Sequence, residues 1–133
     1  MQRLQRFVIC GLILLVGVAL GEEDKPPRIK AEEARKHAGK KVEVVFEVKA
    51  SKHSINRKTT YLDSEVSFRD EKNMGIAISE QGISDLKQKR GVDTPSDYYR
   101  SKKIRVVGVV TVEEDRPYIK VDDAEQIDLA KEE

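Results

Sequence analysis

Between residues 41 and 122 apolar side chains recur at every second position in several short runs, the signature of strands buried on one face. In KVEVVFEVKAS, Val42, Val44, Phe46 and Val48 face one way and Glu43, Glu47 and Lys49 the other, which predicts a first strand over 41–50. TYLDSE predicts a second over 59–65, and MGIAIS a third over 74–79 with Met74, Ile76 and Ile78 in one row. KIRVVGVVTVEE predicts a fourth over 103–113, where Gly108 sits in the row of Ile104, Val106, Val110 and Val112 and lets the strand bend. RPYIKVDD predicts a fifth over 116–122, with Ile119 and Val121 inward and Arg116, Tyr118 and Lys120 outward.

Two stretches carry helical spacing instead. AEEARKHAGKK sets Ala31, Ala34 and Ala38 on one side, acids first and bases last, with Gly39 as the stop; it predicts a short helix over 31–38. EQGISDLKQKRG, with Ile83 three residues before Leu86 and Gly91 as terminator, predicts a helix over 82–90. Thr94 and Pro95 follow as N-cap and first residue of a further turn. SKHSINRKTT and VSFRDEKN read as polar connections. Helix, three strands, helix, two strands is the order of an all-β fold with short helices, a five-stranded Greek-key barrel among several small β barrels.

The first residues stand apart from this pattern. MQRLQR is basic, FVICGLILLVGVAL is uncharged and apolar, and Ala19–Gly21 offers small residues to a signal peptidase. That layout predicts a signal peptide over 1–21 and export to the periplasm or the extracellular space. The other reading is a membrane anchor, but an apolar run of about 15 residues is shorter than the roughly 20 that cross a bilayer. With the signal removed, no membrane span is expected. EEDKPPRIK, with its Pro-Pro pair, predicts an extended, mobile leader over 22–30, ahead of a single domain over 31–129 and a short tail over 130–133.

Cleavage alters the chemistry available. It removes two of the 25 basic residues, Arg3 and Arg6, against 24 acidic ones, and moves the net charge from +1 to about −1. It also removes Cys10, the one cysteine of the chain, which excludes a disulfide, a thiolate nucleophile or a zinc–cysteine site from the mature protein. His37 and His53 lack a matching ligand pair, and Asp63, Glu65, Asp70 and Glu71 lack the glycine and spacing of an EF-hand loop. No metal, cofactor or catalytic triad is implied, and the expectation is a protein that is not an enzyme.

AEEARKHAGKKVEVVFEV, YLDSEVSFRDEKNMGIAI and YYRSKKIRVVGVVTVEEDRPYIKVDDAEQI resemble, in order and spacing, small exported bacterial OB-fold proteins of the nucleic-acid-binding-like group. The shared features are a GK-x-V-x-V first strand, a Y-R-x-K-x-I-x-V-x-G-x-V fourth strand and a closing RP-x-I-x-V-x-D-x-x-x-I. The resemblance covers residues 31–129 and implies a five-stranded OB-fold barrel with a helix between strands three and four. Where such proteins often carry a glycine before RPYI, this chain reads EEDRP, so that Asp115 takes the left-handed turn position.

OB barrels bind ligands on the face of strands two and three, between the first–second and fourth–fifth strand loops. There the resemblance implies Lys52, Arg57 and Lys58 as backbone contacts, Tyr61 and Tyr118 as stacking platforms, and Arg116 reaching in from the opposite loop. Phe68 is a third candidate platform; the other reading, which is the expectation, packs Phe68 inside the barrel and has the two tyrosines cap its ends. Lys87, Lys89 and Arg90, with the RSKKIR run, read as solvated cations balanced by nearby acids, or else as phosphate contacts. Two classes of partner stay open: single-stranded nucleic acid or another polyanion, and an envelope protein for which the domain is an accessory module.

Overall fold

The computed structural model describes residues 25–131, so the expected signal peptide over 1–21 and its cleavage site lie outside the described residues. Eight strands form one mixed sheet: β1 (Arg28–Ile29), β2 (Lys41–Glu47), β3 (Ala50–Ser54), β4 (Thr59–Asp63), β5 (Gly75–Ile78), β6 (Lys103–Glu113), β7 (Arg116–Val121) and β8 (Ile127–Leu129). Their order is β1-β2-β6-β7-β5-β4-β3, with β8 added to β6. Neighbours are antiparallel except β1 with β2 and β5 with β7.

The expected count of five strands is therefore corrected to eight, and the sheet does not close by pairing alone. The run expected as one strand over 41–50 followed by a polar connection is β2, a bend at Val48–Lys49, and β3. At the bend the Val48 N–H donates to the Lys102 carbonyl at 2.9 Å, and the next N–H, of Lys49, donates to the Asp63 carbonyl at 2.9 Å. One continuous stretch thus serves β6 with its first half and β4 with its second. β3 is hidden in the sequence because ASKHS has no apolar alternation; hydrogen bonds hold its inner side instead. Ser51 Oγ donates to the Ser96 carbonyl at 2.6 Å, and His53 Nδ1 lies 2.9 Å from Thr60 Oγ1. Ahead of residue 31 the extended chain is pinned to the sheet, Arg28 and Ile29 standing opposite Glu43 and Val44. β8 is three residues long, too short to show a period.

The core follows the alternation except at Val112, the last apolar residue of its row on β6, which is 38% exposed. Val42, Val44, Phe46, Ile76, Ile78, Val106, Val110, Ile119 and Val121 are all buried in a single cluster. Gly108 is buried beside this cluster and has a role in addition to the bend expected of it. A Cβ there would stand 2.4 Å from Ile119 Cγ2, so the glycine makes room for a core side chain of β7.

The segment Ala31–His37 is a 3₁₀ rather than an α-helix and anchors through one buried residue, Ala34. Helix α1 (Glu80–Arg90) starts two residues before the expected 82, because Ser79 Oγ caps it by accepting from the Gly82 N–H at 3.1 Å. It ends as expected at Gly91, whose φ of 69° is left-handed. Helix α2 (Pro95–Tyr98) has Pro95 in its first turn, but the Thr94 side chain makes no capping bond.

Candidate functional site

The outer face of β3, β4, β5 and β7 is built by register. Lys52 stands opposite Tyr61, Tyr61 opposite Ala77, and Ala77 opposite Lys120, giving one row across four strands. The next row runs Ala50, Asp63, Gly75, Tyr118 and Thr111. Tyr61 and Tyr118 thus lie on either side of β5, about 10 Å apart laterally at two strand spacings. Between them β5 offers only Gly75 and Ala77. The result is a shallow trough with small residues for its floor, an aromatic ring on each wall, and Lys52 and Lys120 at opposite ends of one row.

The turn between β3 and β4 supplies the remaining charge. Arg57 Nη1 donates to the Tyr61 hydroxyl at 3.4 Å, which joins the loop to the face. That bond, with the nearby Glu113 and Glu114 carboxylates, pushes the Arg57 guanidinium above its ordinary range. Lys58 stands exposed in the same turn with a φ of 53°. Burial first, then Glu113 and Tyr61, pushes the Tyr118 hydroxyl up. The structure therefore gathers Lys52, Arg57, Lys58, Tyr61 and Tyr118 on one surface.

Arg116 is placed differently. Its guanidinium lies 4.6 Å from the centre of the Phe68 ring, and Arg69 lies 5.3 Å from the same ring. Phe68 is 47% exposed, not packed in the barrel as expected. The sequence reading overlooked Lys120 as a member of the row, although its outward position was visible in the β7 alternation. Gly75 and Ala77 carried no signal, since only the register shows that they floor a trough.

The basic helix is largely neutralised. Lys89 pairs with Asp85 at 3.4 Å and Glu125 at 3.7 Å, and Arg90 pairs with Asp128. Arg105 pairs with Glu43 at 3.0 Å, while Arg100 Nε donates to Ser51 Oγ at 2.8 Å. A wide cleft of about 710 Å³ opens elsewhere, between Arg28–Glu33 and Val45–Glu47. Glu32, Glu33, Glu47 and Glu65 on its walls outnumber Arg28, Lys30 and Lys49, which suits no polyanion. Among the described residues no group of three or more His, Cys, Asp or Glu stands close enough to hold a metal ion.

Asp63, in the second row, carries a pH signature. Burial pushes its carboxyl up, opposed by the Asn73 Nδ2 donor 3.0 Å away. The native state then holds this proton more tightly than the unfolded chain. Its contribution to stability is present below the ordinary carboxylate value and falls as pH rises to the elevated native value. Asp63→Asn keeps an acceptor for Asn73 and removes the ionisation. Its stability curve from denaturant titrations should be flatter than the parent's across that interval; two parallel curves would refute the assignment.

No protein-family model matches the chain, and no curated protein does. Solved structures do. A protein assigned as an aspartyl-tRNA synthetase from Leishmania major Friedlin is similar over 83% of this chain, with 14% identity and a TM-score of 0.52. Asparaginyl-tRNA synthetase from Pyrococcus horikoshii is similar over 76%, with 15% identity and a TM-score of 0.50. A structure of yeast Stn1 and Ten1 is similar over 82%, with 13% identity and a TM-score of 0.50. The chain spans 22% of the length of each synthetase and 65% of the third match. At these identities the likeness is one of architecture: a mostly β domain with a fold related to the OB-fold.

Proposed function

We propose that this domain is a non-enzymatic OB-type barrel that binds single-stranded nucleic acid or a comparable polyanion outside the cytoplasm. The observation that carries the reading is the registered row of Lys52, Tyr61, Ala77 and Lys120, with Tyr118 beside it across Gly75. Strand binding needs cations that track the backbone and aromatic faces that take bases, each stacked base contributing about 1–3 kcal/mol. The face has both. Two proteins with a similar fold are tRNA synthetases, a likeness that supports the reading only as analogy, since one fold hosts many functions. The acidic Glu113 and Glu114 near Arg57 and the near-zero net charge favour the second reading, an accessory module that binds an envelope protein.

A filter-binding titration with an unstructured oligonucleotide at two salt concentrations separates the two. Replacing Lys52, Arg57 and Lys58 together by glutamine should weaken binding and lower the salt slope by about 2, from roughly 0.7 per lost contact on a single strand. All three are exposed, so stability should stay within about 0.5 kcal/mol per change. Lys87→Gln, on the helix away from this face, should bind as the parent does. If the helix variant alone loses binding, the surface is the wrong one. If the parent binds no oligonucleotide at low salt, the nucleic-acid reading fails and the protein-partner reading takes its place. Export has its own check, because N-terminal sequencing of the exported protein should begin near Glu22; an intact Met1 on a cytosolic product would end that part of the proposal.

A further inference from the structure

The connection between β4 and β5 folds back toward the β6–β7 hairpin and leaves a cleft of about 220 Å³, with Phe68, Arg69, Glu71, Glu114 and Arg116 on its walls. We propose that this cleft is a base-selective subsite, which takes one nucleobase of a bound strand with its exocyclic amino group toward Glu71 and Glu114. The inference rests on the reading of the β4–β5–β7 face as a strand-binding surface and extends it past Tyr118.

Three features point to a base. Phe68 presents an exposed ring that the flanking Arg69 and Arg116 guanidinium groups hold in place. Aromatic rings and guanidinium planes are the surfaces on which unstacked bases lie. Arg116 is also two residues from Tyr118 on the outward side of β7, so the cleft continues the trough. Its volume suits a single flat heterocycle.

The carboxylates supply the selectivity. Asp115 is engaged by Arg35 at 3.4 Å, and Asp70 accepts from the Lys72 N–H at 2.8 Å. Glu71 and Glu114 make no ion pair among the described residues. An ionised carboxylate only accepts hydrogen bonds. It therefore receives the amino group of cytosine or adenine and repels the O4 carbonyl that thymine and uracil present at that edge. The same acids keep phosphate out of the cleft and leave it to Lys52 and Arg57.

Anisotropy titrations with oligo-dC and oligo-dT of equal length, at one low salt concentration, test this. The parent should bind oligo-dC about threefold or more tighter than oligo-dT. Phe68→Ala should weaken binding of oligo-dC about fivefold or more, the low end of a lost stack. Phe68→Leu, which keeps apolar bulk, should weaken it as much, while thermal unfolding of both variants matches the parent. Glu71→Gln with Glu114→Gln should tighten oligo-dT and erase the preference. If both Phe68 variants bind like the parent while Tyr61→Ala weakens binding, the cleft is no subsite and the strand-binding face still stands. A parent that prefers oligo-dT, or prefers neither, overturns the selectivity. A parent that binds neither overturns the strand-binding face and this subsite with it.

Discussion

Phe46→Ala should lower the free energy of unfolding by about 3–5 kcal/mol, read as a lower denaturant midpoint at an unchanged slope. Phe46 stands opposite Ile104 near the end of the β2–β6 pair and is 8% exposed within the core cluster, so truncation opens a cavity in the shared core. In a domain with few aromatic side chains nothing of similar size is available to refill it. Since small domains hold about 5–15 kcal/mol in total, the variant stands near the edge of folding at physiological temperature. Phe46→Leu, which keeps most of the volume, should lose far less. A loss under about 1 kcal/mol for the alanine variant would mean that the ring is not in the core.

Gly82→Ala should destabilise, against the ordinary rule for helices. In a helix alanine is favoured over glycine by about 1 kcal/mol. Here the new Cβ would stand 2.4 Å from the Val121 carbonyl oxygen and 3.0 Å from Ile78 Cγ2. The nearer atom is backbone of β7 and cannot swing away, so α1 must lift off the sheet. Overpacking of this kind commonly loses about 1–3 kcal/mol. Lifting α1 also strains the Ser79 cap and the bond from the Ala124 N–H to Asp85 Oδ2 at 2.7 Å. Ser84→Ala, exposed on the same helix, should leave stability within about 0.5 kcal/mol. A stabilised Gly82→Ala variant would show that α1 does not approach β7 this closely.

Both predictions bear on what the sequence could reveal. Strands whose two faces differ in polarity were legible: the rows of Val42, Val44 and Phe46, of Ile76 and Ile78, and of Ile104 to Val110 all reach the core. The left-handed Asp115 was legible too, with a φ of 65°, although Glu114 shares that conformation at 51°. β3 was not, because serine and histidine hold its inner side through hydrogen bonds that leave no hydropathy trace. Nor was β1, whose two residues are placed by pairing with β2. Gly82 read as an ordinary helix residue, since only the tertiary approach of β7 explains it.

The candidate site divides along the same line. Lys52, Arg57 and Lys58 were visible as a basic loop, and Tyr61 and Tyr118 as outward positions of alternating strands. The row that joins them depends on register across β4, β5 and β7, including the parallel pairing of segments far apart in the chain. Phe68 misled because a phenylalanine in a polar connection is usually a buried anchor. Here two arginines cover part of its ring and leave the rest to solvent.

The bend at Val48–Lys49 gives the two halves of the sheet separate exits. Adjacent amides there bond in opposite directions, Val48 to the β6 side and Lys49 to β4. Opening of the β3–β4 hairpin releases the second amide and leaves the first protected, so hydrogen exchange at two consecutive residues reports two different openings. If the hairpin that carries Lys52, Arg57 and Tyr61 opens apart from β2, which also requires release of Ser51 from Ser96 and Arg100, a ligand that bridges β3 to β7 should slow exchange at Lys49 more than at Val48.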